Sequence, residues 1–232
     1  MNCSPAQSLG ELVTERPTRS RVFEQYNLDY CCGGGISLER ACEKRGLDVS
    51  DILAQLEVES QISEEQIDLS SMNLEQLCDH IESTHHEFMK AEMPKVREII
   101  FRVVEVHGER LSWLSEFGQI FRALDDEIRE HLLKEEQVLF PMLRSMSRGE
   151  SLAHQGCGVH SPIQVMEMEH DNAGEALARM SELSSGYDIP ADACNKFRAV
   201  MTRMAEIQDD LHRHIHKENS VLHPMALAKD AE

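Results

Sequence analysis

Two segments of the sequence place a histidine and a glutamate four residues apart within an apolar helical stripe. The pair is His131 and Glu135 in the stretch from Leu124 to Met142, and His214 and Glu218 near the C-terminus. Residues i and i+4 of an α-helix lie about 6 Å apart on one face, so each pair is predicted to face the core. A buried ionisable pair is costly unless it is compensated, and a bound metal ion would compensate it.

A single pair of this kind would favour a simple hydrogen bond between histidine and glutamate at a helix seam. Two other predicted helices, however, also carry histidine on their apolar face. These are His170, between Ile163 and Met180, and either His85 or His86, between Leu77 and Val103. Periodicity does not distinguish His85 from His86. Four helices with inward histidines predict a shared layer of ligands.

The spacing of the four histidines is consistent with one layer. In antiparallel helices, two residues at the same height are equally far from the turn that joins them. The midpoints of consecutive histidines fall beside Gly108, at Glu150 and Ser151, and at Asp192. Each midpoint lies on or next to a break predicted from glycine and proline. The histidines are therefore predicted to lie at one level, with the glutamates one turn away.

The elements that must position these residues are long helices. Residues 72–232 are predicted to form an all-α, up-down-up-down four-helix bundle, with breaks near Gly108, across 147–162 and across 184–190. The stripe around the first pair is predicted to point inward at Leu124, Ile128, His131, Glu135, Val138 and Met142. The stripe around the second pair is predicted to end with His214, Glu218, Val221 and Met225.

A different composition precedes the bundle. Residues 1–57 are predicted to form a small helical domain, and the acidic stretch 58–71 a linker. Cys31 and Cys32 are adjacent and precede three glycines, which predicts a turn. The two thiols could ligate a cluster, pass electrons or take up nitric oxide, and a buried turn without chemistry is the alternative.

Composition narrows the class of protein. The formal net charge of -19 argues against nucleic acid or an anionic membrane as a partner. The sequence contains no run of about twenty apolar residues, so no membrane-spanning helix is predicted. The N-terminus lacks the features of a signal peptide. Seven scattered cysteines indicate reduced thiols rather than a disulfide framework. The cytoplasm is the expected compartment.

The donor set favours two metal ions over one. Two carboxylates can bridge a metal pair, and four histidines then divide two to each ion. Imidazole with carboxylate suits iron or manganese better than zinc. Such a histidine-rich site should bind dioxygen or nitric oxide reversibly, or hold iron loosely.

The sequence resembles a known family over almost its whole length. His131 to Met142, Met168 to Glu175 and His214 to Leu227 resemble the hemerythrin-like domain. LGELVTERP (Leu9 to Pro17) and DYCCGGG (Asp29 to Gly35) resemble the N-terminal module of the RIC family of iron-sulfur cluster repair di-iron proteins.

The resemblance implies a non-haem di-iron protein that restores iron-sulfur clusters damaged by oxidative or nitrosative stress. The family's metal ligands correspond in this sequence to His86, His131, Glu135, His170, His214 and Glu218. Glu135 and Glu218 would bridge two iron ions, with an oxo or hydroxo bridge expected between them. Glu127 and Glu169 match acidic positions near the family's site, where they would support the ligands or line an iron exit path. Cys31 and Cys32 become candidate redox or transfer thiols.

The chain departs from the family pattern in its histidines. His223 stands where an aromatic residue is usual, and His85, His212 and His216 are additional. His212 and His216 are expected to be solvated, because residues two positions from His214 face away from it.

Several functions remain to be separated. The implied partners are damaged iron-sulfur proteins, with nitric oxide or dioxygen as the small ligand. A dioxygen or nitric oxide carrier or sensor without turnover is the first alternative, although such a carrier needs no thiol module. A nitric oxide reductase and a purely structural bundle are the others. The sequence does not identify the electron donor, and it leaves a homodimer open.

Overall fold

The secondary structure is helical throughout the part of the chain that the computed structural model describes, residues 3–59, 69–150 and 158–231. In those ranges the only strand-like feature is an isolated bridge between Ser8 and Ser37. The predicted all-α fold class is confirmed: a four-helix bundle preceded by a small helical domain. No helix in the described ranges is both long enough and apolar enough to cross a membrane.

The chain divides into two compact units. One comprises Met1–Leu77 together with His212–Glu232, and the other comprises Cys78–Leu211. The predicted domain boundaries, 1–57, 58–71 and 72–232, stay a prediction. Most of the predicted linker, residues 60–68, lies outside the described residues.

Short helices build the N-terminal part of the first unit. They are α1 (Leu9–Glu15), α2 (Ser20–Gln25), α3 (Leu38–Arg45) and α4 (Val49–Glu59). Ser8 and Glu11 form a reciprocal capping box at the start of α1. Ser37 caps α3 as predicted, and Gly46 ends it in the left-handed conformation that glycine adopts without steric cost. The core of these helices is formed by Leu9, Leu12, Phe23, Leu38, Ile52 and Leu56.

Seven further α-helices follow among the residues that the structure describes. They are α5 (Leu74–Ile81), α6 (Glu87–His107), α7 (Trp113–Lys134), α8 (Phe140–Ser147), α9 (His160–Leu183), α10 (Asn195–Lys217) and α11 (His223–Asp230). The predicted breaks near Gly108 and across 184–190 are confirmed as helix ends. The break across 147–162 is bounded by the end of α8 and the start of α9, and its residues 151–157 lie outside the described ranges.

Apolar stripes hold the helices of the second unit together. Helix α7 packs between α6 and α9, and Phe117 and Phe121 of α7 are fully buried. On α6 the inward residues Met89, Val96, Ile100 and Val103 are buried as their spacing predicts. Pro94 lies inside α6 without ending it. These stripes give the ligand-bearing helices a rigid support.

Candidate metal centre

In the described part of the chain, three turns of π-helix interrupt the long helices. They span Glu82–His86, Glu135–Leu139 and Glu218–Leu222. Each is closed by a backbone bond across five residues, such as that from the Phe140 N–H to the Glu135 carbonyl. Each turn also carries a predicted metal ligand, at its last residue in the first turn and at its first residue in the other two. Single π-helical turns within α-helices frequently occur at functional sites.

Proline explains two of these turns. The pattern E-x-x-V-L-x-P-M occurs at 135–142 and again at 218–225, which places Pro141 and Pro224 just after the π turns. Proline lacks the amide hydrogen that an α-helix requires and clashes with the carbonyl four residues earlier. Widening the preceding turn relieves both problems, so the helix continues past Glu135 in one case and past Glu218 in the other.

The π turns shift the inward face by one residue. Val138, predicted to point inward, is 51% exposed, and Leu139 is buried in its place. After Glu218 the buried residues are Val221, Leu222, His223 and Ala226, whereas Met225, which was expected to point inward, is half-buried. The prediction for Val138 was wrong because it extended a 3.6-residue period through a turn that contains one more residue.

Glu135 is the centre of a buried cluster in the second unit. Its Oε2 atom lies 3.3 Å from Nε2 of His86 and 3.3 Å from Nε2 of His131. Nε2 of His170 lies 3.2 Å from Nε2 of His131. Each of the four residues is at most 3% exposed. The structure therefore brings together a carboxylate of one helix and imidazoles of three.

These distances fit metal coordination. Two ligand atoms about 2.1 Å from one ion lie roughly 3.0 to 3.4 Å apart at octahedral or tetrahedral angles. In the described part of the chain neither carboxylate oxygen of Glu135 has a hydrogen-bond partner, although the side chain is completely buried. Burying an ionised carboxylate without compensation is strongly unfavourable. A bound cation would supply that compensation.

Two outer carboxylates orient the imidazoles. Nδ1 of His131 lies 2.9 Å from Glu169 Oε2, and Nδ1 of His86 lies 2.7 Å from Glu136 Oε1. With Nδ1–H donating to the carboxylate, Nε2 of each ring keeps its lone pair toward Glu135. Histidines that bind metals usually have such a partner.

Neighbouring lysines hold the outer carboxylates. Lys134 pairs with Glu169, and Lys90 lies 2.6 Å from Glu136. The hydrogen bond from His131 lowers the pKa of Glu169 to about 2, against the opposing effect of burial, and Lys134 adds to the lowering. Glu127, the other acidic residue that the resemblance suggested, is exposed on α7. Sequence reasoning missed Glu136, whose signal was its position directly after Glu135.

The second His–Glu pair lies in the first unit. His214, in the last turn of α10, has its Nε2 atom 3.1 Å from Oε1 of Glu218, and both side chains are completely buried. His223, in the position where an aromatic was expected, is also completely buried. This pair repeats the arrangement of His131 and Glu135, with the same residue types and spacing.

The expectation that His216 is solvated was wrong. His216 is 4% exposed, and its Nδ1 atom lies 3.4 Å from the Tyr30 carbonyl oxygen. His212 contacts the Tyr30 ring edge-on. The side of the helix that faces away from His214 is not open to water, because residues of the N-terminal helices and loop cover it.

The two adjacent histidines, His85 and His86, have different neighbours in the structure. His86 lies beside Glu135 and stacks on the ring of Phe140. The Nδ1 atom of His85 instead lies 3.0 Å from Asp210 Oδ1, where both side chains are buried. His85 therefore has a partner of its own away from the cluster.

Comparisons with known proteins agree with the site. Residues 79–226 match the profile of the hemerythrin HHE cation binding domain, and residues 5–60 match a domain of unknown function, DUF542. The iron-sulfur cluster repair protein YtfE of Enterobacter sp. (strain 638) is 38% identical over 96% of this chain and 97% of the relative. The YtfE proteins of Shigella boydii serotype 4 (strain Sb227) and Salmonella schwarzengrund (strain CVM19633) are 37% and 36% identical over the same shares.

The chain belongs to the YtfE family of iron-sulfur cluster repair proteins. The resemblance drawn from the sequence is thereby confirmed. Within this YtfE-family chain the cation-binding match includes all six predicted ligands, and the DUF542 match includes Cys31 and Cys32. The buried histidines and glutamates of the cation-binding domain suit a metal, with iron as the metal that the family name suggests.

Proposed function

We propose that this chain is a non-haem di-iron protein that repairs iron-sulfur clusters damaged by oxidative or nitrosative stress. The observation that supports this most directly is the buried carboxylate of Glu135, whose Oε2 atom lies 3.3 Å from Nε2 of His86 and 3.3 Å from Nε2 of His131. Such an arrangement suits a carboxylate that bridges two metal ions. The names of the YtfE relatives support the repair function.

The proposed ligands are the six residues His86, His131, Glu135, His170, His214 and Glu218. Glu135 and Glu218 would be shared by two iron ions, for which an oxo or hydroxo bridge is expected. Bound there, the iron pair would supply binding of nitric oxide or dioxygen and a store of releasable iron. The chain's own residues determine how firmly that iron is held.

The polar groups around the proposed ligands orient the histidine rings. Glu169 and Glu136 keep a proton on Nδ1 of His131 and His86 and thereby fix both rings for coordination through Nε2. Lys134 and Lys90 favour the ionised form of those carboxylates. The apolar walls, including Phe140 stacked on His86, limit access of water to the ligands.

Reactivation of a damaged client tests the function. A dehydratase whose [4Fe-4S] cluster has been damaged with nitric oxide or peroxide is incubated with the reduced, iron-loaded protein and an electron donor. We expect recovery of dehydratase activity with the natural chain, and little recovery with Glu135→Leu. The exposed Glu127→Leu serves as the matched control and should reactivate normally. Stable oxygenation or nitrosylation without reactivation would instead identify a carrier or sensor.

A further inference from the structure

The cysteine pair lies in a loop that a single carboxylate holds in shape. Oδ1 of Asp29 accepts hydrogen bonds from the backbone N–H groups of Cys31 and Cys32, at 3.1 and 3.0 Å. Oδ2 accepts one from Gly33 at 2.8 Å. From the C-terminal helical segment of the same unit, the side-chain amide of Asn219 donates to the Cys31 carbonyl at 3.3 Å. The loop is therefore fixed from both sides.

The two thiols are spaced for one metal ion. The sulfur atoms lie 3.8 Å apart, and two thiolates bound at about 2.3 Å to one tetrahedral ion lie about 3.8 Å apart. The Cys31 thiol donates to Asp29 Oδ1 at 3.3 Å. Donor atoms of Asp29, Cys31 and Cys32 all lie within 4.8 Å of one another. The donor atoms of three side chains are thus close enough to one another to bind a single ion.

The same geometry does not favour a disulfide. A disulfide requires its sulfur atoms about 2.05 Å apart with a restricted dihedral angle. Closing the gap between adjacent cysteines would rotate the peptide groups that now donate to Asp29. The loop preserves the wider spacing that a chelating pair needs.

The carboxylate of Asp29, which lies 3.3 Å from the Cys31 sulfur, favours a cation in this loop. Metal binding displaces thiol protons, because thiolates are the ligands. Asp29 is exposed and Cys32 half-buried, so an ion can enter from solvent.

We propose that Asp29, Cys31 and Cys32 form a second metal site, which binds one thiophilic divalent cation in tetrahedral geometry. Binding replaces two S–H bonds by two metal–sulfur bonds, adds one carboxylate oxygen and releases two protons without any change of oxidation state. The fourth position is open to water or to an exchanging ligand. Thiolate ligands select soft and borderline ions. That the cation is ferrous iron rests on the proposed function.

Cobalt(II) is the probe for this site. The iron-loaded protein, reduced and kept free of oxygen, is titrated with cobalt(II) while the sulfur-to-cobalt charge-transfer band in the near ultraviolet is recorded. None of the six proposed ligands of the iron centre is a sulfur, so that centre cannot produce this band. We expect the band to saturate at one cobalt per chain, with two protons released per ion in weak buffer.

Variants make the assignment specific. Cys31→Ser and Cys32→Ser should each abolish the band. The control is Cys194→Ser, which removes an exposed thiol from the loop before α10 and should leave the band unchanged. Asp29→Asn keeps an oxygen that accepts the loop amides and should weaken cobalt binding by about tenfold or more. Circular dichroism checks that each variant is folded.

Two results would overturn the proposal. One is a reduced natural chain that shows no sulfur-to-cobalt band, and the other is a band that survives replacement of both cysteines. Either result leaves the repair function intact if the natural chain still reactivates its client. Failure of reactivation with a normal cobalt band would count against the proposed function alone.

Discussion

Glu136 accepts a hydrogen bond from Nδ1 of His86 at 2.7 Å, while Glu135, its neighbour in the chain, faces the Nε2 atom of the same ring. Two consecutive glutamates thus lie next to the two different nitrogen atoms of one imidazole ring. This is feasible because successive residues of a helix point in different directions around its axis. In the proposed centre, Glu135 would bind metal and Glu136 would hold the His86 ring in position.

The first prediction concerns that outer carboxylate. Glu136→Ala should lower iron affinity by about 10- to 100-fold, because the His86 ring loses the partner that fixes its tautomer and orientation. Competition with a ferrous chelator measures the change. Glu127→Ala, which removes an exposed carboxylate from α7, is the control and should bind iron normally. Equal affinity of Glu136→Ala and the natural chain would show that Glu136 does not support the site.

The second prediction separates two adjacent histidines. His86→Gln should reduce the iron content to one ion per chain or fewer, because it removes a proposed ligand. His85→Gln should retain the iron but lower the melting temperature, since buried Asp210 loses its ion-pair partner. Metal analysis and thermal unfolding distinguish the two variants. Loss of iron from His85→Gln with retention in His86→Gln would reverse the assignment.

Much of the arrangement of the site could be predicted from helical periodicity and spacing. His131, His170 and His214 each interrupt an apolar stripe, and such stripes identify the inward face of a helix. The midpoints between them fall at the breaks that glycine and proline predict. Distance along an α-helix is a linear function of residue number, so the height of a ligand can be calculated from sequence.

The features that could not be predicted depend on local departures from the α-helical period and on contacts between residues distant in sequence. Val138 is exposed because a π turn adds a residue, and only the repeated proline pattern signalled such turns. His216 is buried by Tyr30 and Thr14, which lie some two hundred positions earlier in the sequence. No periodicity within a helix reports which other segment covers its outer face.

The third prediction concerns Glu135 and Glu218, the two carboxylates proposed to be shared by the iron ions. Glu135→Leu and Glu218→Leu should each impair assembly of the binuclear iron centre, which iron analysis and the visible absorption of the iron-loaded protein will detect. In the iron-free state, however, these variants should be as stable as the natural chain or more stable. Replacing a completely buried carboxyl group by an apolar side chain of similar size removes its desolvation cost. Iron-free Glu135→Leu that is markedly less stable would assign Glu135 a structural role instead.

The last prediction tests the glycine turn after the cysteine pair. A Cβ atom at Gly34 would lie 2.2 Å from the Tyr30 carbonyl oxygen, whereas at Gly35 it would meet nothing within 4 Å. Gly34→Ala should therefore force the loop apart and lower the free energy of unfolding by about 1 to 3 kcal/mol, with weaker cobalt binding at Cys31 and Cys32. Gly35→Ala is the matched control and should change neither property. Denaturant titration and the sulfur-to-cobalt band measure both effects, and identical behaviour of the two variants would contradict the close packing of Gly34.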